Sequence, residues 1–301
     1  MSELNQSGTR NGAAPLVTVA MPVYNAGKYL RLAVLSIIRQ SFTNWELLII
    51  DDGSTDNALQ GIEDIDDSRI RIIQDGKNKG LAARLNECID LARGKYFARM
   101  DQDDVSYPER LLRQLAAFGE KKTLDLVAVR AITIDENNNA TGLFPGALTH
   151  DEICANPWLG FYFPHPTWMG KIEWFRKYRY AEPGPYFCED QELLLRSYLH
   201  SRFETINDIL FAYRLRDKVN QNKLSKTRWT ILTIQLRYFV NLNFWYFSLL
   251  SIVAFLAKKG SDLLSNIRSV VVQHKRAIVE KEITVVWNHV LSDLDSEKTL
   301  S

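Results

Sequence analysis

Through residues 17–130, short apolar runs alternate with stretches in which apolar side chains return every three or four positions. That alternation predicts βαβ units around a mostly parallel sheet. VTVAM (17–21) is the first predicted strand, and a loop from Pro22 to Gly27 leads into a helix carrying Leu30, Val34, Ile37 and Ile38 on one face. ELLII (46–50) predicts a second strand that ends at Asp51-Asp52-Gly53-Ser54. Residues 70–73 predict a third, followed by a helix with Leu81, Leu85, Ile89 and Ala92 aligned and Gly94 as its stop. KYFARM (95–100) predicts a fourth and runs straight into Asp101-Gln102-Asp103-Asp104. A helix over 108–118 and a strand over 125–129 complete the sheet.

Residues 130–185 lose this regularity and fill with Pro, Gly, Asn and aromatic residues, as long functional loops do. A helix is predicted again over 188–199, with Leu194, Leu195, Tyr198 and Leu199 inward and Glu189 and Asp190 in its first turn. The segment 205–216 and a basic, aromatic tail follow. Open α/β sheets bind ligands beyond the carboxyl ends of their strands. Three strand ends here carry chemically loaded loops: PVYN, DDGSTD and DQDD.

The 301 residues are 46% hydrophobic, enough for a sizeable core, and a net charge of +1 gives no sign of a nucleic-acid binder. Cys88, Cys154 and Cys188 share no metal-ligand spacing and read as free thiols of a reducing compartment. The expected organisation is a polar tail over 1–15, a cytoplasmic domain over 16–217 with halves 16–130 and 131–217, and a helical tail over 218–301. No secretory signal is read in the first segment.

DQDD carries the strongest local chemistry. Carboxylates this close suppress one another's ionisation unless a cation sits among them. Asp101 and Asp103 alternate along an extended loop and face the same way, so both can meet one Mg²⁺ or Mn²⁺ whose shell is completed by other oxygens. Asp104 reads as a helix cap ahead of Pro108 and Glu109. Asp51 reads as the cap of a turn with Gly53 at positive φ, and Thr55 or Asp56 as the cap of the next helix.

In order, PVYNAGKYL, ELLIIDDGSTD, NKGLAARLN, ARMDQDDVSYPERL, HPTWM, CEDQELLLR and LFAYR resemble the signatures of family 2 inverting glycosyltransferases. The resemblance covers about residues 16–217. It implies the GT-A fold of nucleotide-diphospho-sugar transferases, a Rossmann-like α/β architecture with a mostly parallel sheet flanked by helices. It also implies a nucleotide-sugar donor, most simply a UDP-sugar, and a glycan or lipid-linked acceptor in surface polysaccharide or lipopolysaccharide assembly. By that resemblance Tyr24 lies against the base, Asp52 accepts its N3–H, and Pro22, Gly80, Arg84 and Gln102 line the nucleotide-sugar. Arg84 otherwise reads as solvated surface. Asp103 is the direct ligand of the divalent cation, and Asp101 its companion toward ribose or metal-bound water. Asp190 is the general base, held ionised by its helix N-terminus, with Glu189 beside it. His165, Trp168 and Arg214 are candidates for phosphate or acceptor, and Trp168 and Trp158 read equally as platforms for a sugar ring or as core. Arg216 stands where relatives often carry histidine; it can hold a diphosphate but not a metal. A nucleotidyltransferase, or a non-catalytic sugar-nucleotide-binding subunit, is the rival reading.

Residues 238–257 carry seven aromatic and no charged side chains, with Lys and Arg gathered on both sides. A single span would place one basic cluster against the positive-inside bias. The expected arrangement is therefore an interfacial helix on the inner face of the membrane, the tail over 231–281 making the contact. Burial against the domain or a second copy, and a span, are the alternatives.

Overall fold

The computed structural model describes residues 14–215, 221–267 and 281–295. The strands β1 (Val17–Val23), β2 (Trp45–Asp51), β3 (Ile70–Gln74), β4 (Tyr96–Arg99), β5 (Val105–Ser106), β6 (Leu126–Ile134), β7 (Ala140–Leu143), β8 (Met169–Lys171) and β9 (Phe203–Arg214) form one sheet. Its order is β3-β2-β1-β4-β8-β6-β9-β5, with β7 paired to β6. β3, β2, β1 and β4 run parallel, β8 is antiparallel to β4 and β6, and β6 and β9 run parallel to one another. The carboxyl ends of β1, β2 and β4 therefore share one edge.

Every residue of β1 and β2 is buried, because helices cover both faces of the sheet. Leu47 and Ile49 join the core under α1 (Leu30–Ile38) and α3 (Arg110–Glu120). Leu48 and Ile50 join the opposite core under α2 (Leu81–Leu91), α5 (Ile172–Tyr178) and α6 (Glu189–Ser197). A strand alternates its side chains, so one run feeds two cores.

Several boundaries move. Pro22 lies inside β1, buried, and not in the following loop. Leu199 is exposed rather than inward, because α6 ends at Ser197 and a 3₁₀ turn rotates the chain. Much of 130–185 is regular: β6 continues to Ile134, and β7, α4 (His150–Cys154), β8 and α5 follow. These elements are short, and β8 is a three-residue filler between β4 and β6, so none carries enough period to stand out. α2 ends at Leu91, before Gly94. The glycine is required for another reason: a Cβ there would lie 2.5 Å from the Thr18 backbone nitrogen.

The tail is not one helix over 238–257. α7 (Gln221–Asn241) and α8 (Trp245–Ile267) form a hairpin turned at Asn243, whose φ is +58°. Phe239 is buried in the core shared with α2 and α6. Trp158, offered as a sugar platform, instead stacks on Phe247 of α8 at 5.1 Å. Among the described residues no helix is long and apolar enough to cross a membrane. α9 (Lys281–Asp295) returns to the α1 side of the sheet, where Trp287, Val290 and Leu294 are buried. Residues 1–13, 268–280 and Arg216 fall outside the described residues.

Candidate functional site

At the end of β2, Asp52 joins two loops. Its backbone N–H reaches Val23 O of β1 at 2.7 Å, and its buried carboxylate accepts the N–H of Lys79 at 2.7 Å and of Gly80 at 3.0 Å. Gly80 takes φ +86°, open to glycine, so that both amides turn toward the acid. Arg84 completes the cluster with Nε 2.9 Å from Asp52. It is neither solvated surface nor a free hand toward a ligand. Its side chain is 1% exposed, and its terminal nitrogens donate to Asp75 (2.6 Å), Glu87 (2.7 Å) and Lys77 O. The hydrogen bond to Asp75, with those to Glu87 and Asp52, raises its pKa against the opposing effect of burial.

Tyr24 leaves its ring half exposed at the end of β1. The Gln102 side chain grips that residue's backbone from both sides, accepting Tyr24 N–H at 2.5 Å and donating to Tyr24 O at 2.9 Å. Its amide is therefore used to lock the β1 and β4 loops together. Asp51 accepts Ser54 N–H at 3.2 Å in the turn where Gly53 has φ +75°. Asp56 accepts Ala58 N–H at 3.1 Å and Gly27 N–H at 2.6 Å, joining this turn to the β1 loop.

The DQDD loop is built on a buried cation. Arg99, from β4, is 1% exposed and donates to Asp101. Burial opposes its charge, yet Asp101, Tyr180 and Glu189 together raise its pKa. Asp104 does not cap a helix: α3 starts at Arg110 with Glu109 at its N-cap, and Asp104 Oδ1 accepts the backbone N–H of Arg214 at 2.8 Å. Among the described residues its buried Oδ2 has no hydrogen-bond partner. Burial, and then Asp101 and Asp103, push this carboxyl well above the usual range. Asp101 and Asp103, whose charges act on this carboxyl, supply the hard oxygen donors that a divalent ion takes. Among the described residues no cluster of three or more His, Cys, Asp or Glu cages an ion. A metal held here by Asp103 and Asp101 would draw its remaining ligands from phosphate oxygens and water.

The facing wall comes from α6. Glu189 and Asp190 occupy its first turn, and Gln191 Nε2 donates to Asp190 Oδ2 at 3.0 Å. Gln191 also holds Phe161 by both backbone groups, at 2.8 and 3.1 Å. The helix N-terminus does not dominate the titration of Asp190: burial raises its pKa in spite of Gln191 and Arg99. Glu189 is pushed up to about 7 by burial and by the Asp190 charge. Asp101, just after β4, and Glu189 and Asp190 of α6 thus share Arg99 as a buried counter-charge.

His165 is buried, its Nε2 2.8 Å from Tyr180 Oη, and burial, with Arg99 adding to it, lowers its pKa well below the ordinary value. It stands as a neutral ring behind the site. Trp168 has no exposed surface and cannot stack on a sugar; its ring meets His165 at 4.5 Å and Nε1 donates to Phe163 O. Arg214 is also committed to the fold, with Nε on Asp103 O at 2.7 Å and Nη1 on Asp135 O at 2.6 Å. Sequence reasoning missed Arg99, Tyr180 and Gln191. An arginine inside the strand KYFARM was the one available signal, a charge where the period demands core. Tyr186 and Phe187, just ahead of α6, leave their rings exposed, with the Lys223 ammonium 3.6 Å from the Phe187 centroid.

Solved structures share this arrangement of sheet and helices. TarS of S. aureus, residues 1–349, aligns with a TM-score of 0.60 at 20% identity, over 92% of this chain and 79% of that one. The same protein in complex with UDP-GlcNAc aligns at 0.56 and 20% identity, over 73% and 66%. The mannosyltransferase PcManGT of Pyrobaculum calidifontis, solved with GDP-Man and Mn2+, aligns at 0.54 and 14% identity, over 95% and 88%. The fold is that of the GT-A glycosyltransferases. The profile of glycosyl transferase family 2 matches residues 18–179, and the chain belongs to that family.

Among relatives, EpsE of Bacillus subtilis is 39% identical over 127 residues, 41% of this chain and 46% of that one. The glycosyltransferase GlyG of Streptococcus pneumoniae is 30% identical over 220 residues, 67% and 71%. Escherichia coli WfgD, named a UDP-Glc:alpha-D-GlcNAc-diphosphoundecaprenol beta-1,3-glucosyltransferase, is 30% identical over 147 residues, 48% and 57%. The chain thus spans about half the length of EpsE and WfgD.

Proposed function

We propose that this chain transfers a sugar, with inversion, from a UDP-sugar to a glycan or lipid-linked acceptor in surface polysaccharide assembly. The observation that carries the reading is the convergence of DQDD and the Glu189–Asp190 pair on Arg99 at the carboxyl edge of the sheet. Asp190 takes the proton of an acceptor hydroxyl as that oxygen attacks the anomeric carbon opposite the diphosphate, and the nucleoside diphosphate departs. The exposed Tyr24 ring supports the base, and Asp52 receives the base N–H while Arg84 and the 79–80 amides hold its carboxylate still. Asp103, with Asp101, would hold a Mg²⁺ or Mn²⁺, which supplies charge neutralisation of the leaving diphosphate. The WfgD substrate and the UDP-GlcNAc and Mn2+ complexes of the structural neighbours favour this donor class and a divalent ion. UDP binding measured by calorimetry in Mn²⁺ is expected to weaken about tenfold on chelation with EDTA. Unchanged affinity would sink the metal reading.

The hairpin extends the proposal to the membrane. Along α8, Trp245, Leu249, Ile252, Val253 and Leu256 form an exposed apolar stripe, and Tyr246 is 69% exposed near the turn. Ser248 and Ser251 lie on the inner side. Lys258 and Lys259, expected to face lipid, turn inward to Leu159 O (2.9 Å) and Ser225 Oγ (3.0 Å). Insertion of the apolar stripe, rather than these two charges, would then drive binding to the inner face of the membrane. The double variant Trp245→Ser, Leu249→Ser is expected to bind anionic vesicles several-fold more weakly in sedimentation, with UDP affinity unchanged. Equal sedimentation of both proteins would exclude the stripe.

A further inference from the structure

Helix α9 packs as a detachable tail has no reason to. Trp287 is fully buried, lies nearly parallel to Tyr107 with ring centroids 6.0 Å apart, and donates Nε1–H to the carbonyl of Asn138 at 2.8 Å. Asn138 sits in the β6–β7 turn with φ +66°, and its Oδ1 accepts from Arg214 Nη2 at 2.7 Å. The same guanidinium holds Asp135 O of that turn and Asp103 O of the DQDD loop, while the Arg214 backbone holds Asp104. Tyr29 lies against it, 4.3 Å from ring centroid to guanidinium carbon. Three hydrogen bonds in series therefore link the last helix to the backbone of Asp103.

We propose that Trp287 is a positioning residue for the DQDD loop. α9 acts as a strut: it fixes the β6–β7 turn, the turn fixes the Arg214 guanidinium, and the guanidinium fixes the Asp103 carbonyl. The planar fork of arginine transmits such a constraint because its donors keep fixed mutual directions. The direction of the Asp103 carboxylate depends on that backbone, and small divalent ions tolerate little angular error. The proposal rests on the reading of Asp103 as the ligand of the ion that binds the diphosphate. It makes α9 a support of the donor site, acting through the β6–β7 turn and Arg214.

The test uses the full chain. Trp287→Phe keeps a buried ring but removes the N–H, and Asn138→Gly keeps the positive φ but removes Oδ1. Amide hydrogen exchange of residues 101–105 is measured without metal, and Mn²⁺ affinity in the presence of UDP by electron paramagnetic resonance. Each variant is expected to exchange faster at 101–105, with β1 and β2 protected as in wild type, and to bind Mn²⁺ about fivefold more weakly, the worth of one hydrogen bond. Wild-type exchange and affinity in both folded variants would overturn the strut, as would exchange that rises equally across the sheet. Asp103→Asn separates the two readings. If it binds Mn²⁺ with UDP as wild type does, the metal reading falls and the proposal with it. If it loses Mn²⁺ while both strut variants keep it, the strut alone is wrong.

Discussion

Asp190→Asn is expected to lower kcat by about 10²-fold or more while UDP affinity stays at the wild-type value. The carboxylate sits in the first turn of α6, with Gln191 on one oxygen and Glu189 adjacent. Asparagine keeps the shape and the contact with Gln191 but cannot take a proton, so binding and chemistry should separate. The pH profile carries the same information. Burial raises the Asp190 carboxyl above its ordinary range, and burial with the Asp190 charge moves Glu189 to about 7. A base must be ionised to act, so kcat/KM should fall as pH drops through the raised Asp190 pKa, above the range of exposed carboxylates. The linkage to stability has the opposite sense: a carboxyl raised on folding contributes stability at low pH and loses it as pH rises through the folded value. On the proposed base role, the same buried pair should raise activity and lower fold stability on the alkaline side. Turnover of Asp190→Asn within a few fold of wild type would transfer the base role elsewhere.

Arg84→Met is expected to destabilise the fold by about 3–5 kcal/mol in urea titration, because it removes one partner of a buried ion pair and leaves the other charged in the interior. The buried partner is Asp52, 2.9 Å away, with side-chain exposures of 1% and 7% for the two. Asp75 and Glu87 are about one-third exposed and can turn to water, so they should contribute much less. Arg84→Lys should rescue poorly, since a single ammonium cannot serve Asp52, Asp75 and Glu87 from one place. The hydrogen bonds of Arg84 and then Lys79 hold Asp75 far below the usual carboxylate range. A carboxyl lowered on folding contributes stability above its unfolded pKa and loses it in acid, so the small share that Asp75 adds to the difference between wild type and Arg84→Met should fade as pH falls. A folded variant of wild-type stability would show that Asp52 needs no counter-charge. The same variant should weaken UDP binding, because Asp52 would lose its orientation.

The candidate side chains that sequence reasoning placed correctly in the fold are those written in local motifs. Asp52, Asp101, Asp103 and Asp190 stand at strand ends or in a helix first turn, and those places follow from hydrophobic period alone. The parts it misplaced are side chains whose partners lie far along the chain. Arg84 and Asp52 are 32 residues apart, Arg214 and Asp104 110, and Trp287 and Asn138 149. Gln102 looked like a ligand contact and proved to clamp Tyr24, 78 residues away. Trp168 looked equally suited to sugar and to core, and only the closing of β8 between β4 and β6 decided for core.

By itself, then, the sequence determined the order of the main strands and helices through residue 130, the two-residue β5 excepted, the loops at the carboxyl edge and the family to which they belong. These are properties of period and spacing, which a few neighbouring residues set. The tertiary structure alone decided which charges are spent on holding the loops, that the apolar tail folds into a hairpin, and that the last helix returns to brace the DQDD loop. Those outcomes depend on which surfaces become buried together. A side chain acquires its partner, and with it its protonation and its role, only when the chain has closed around it.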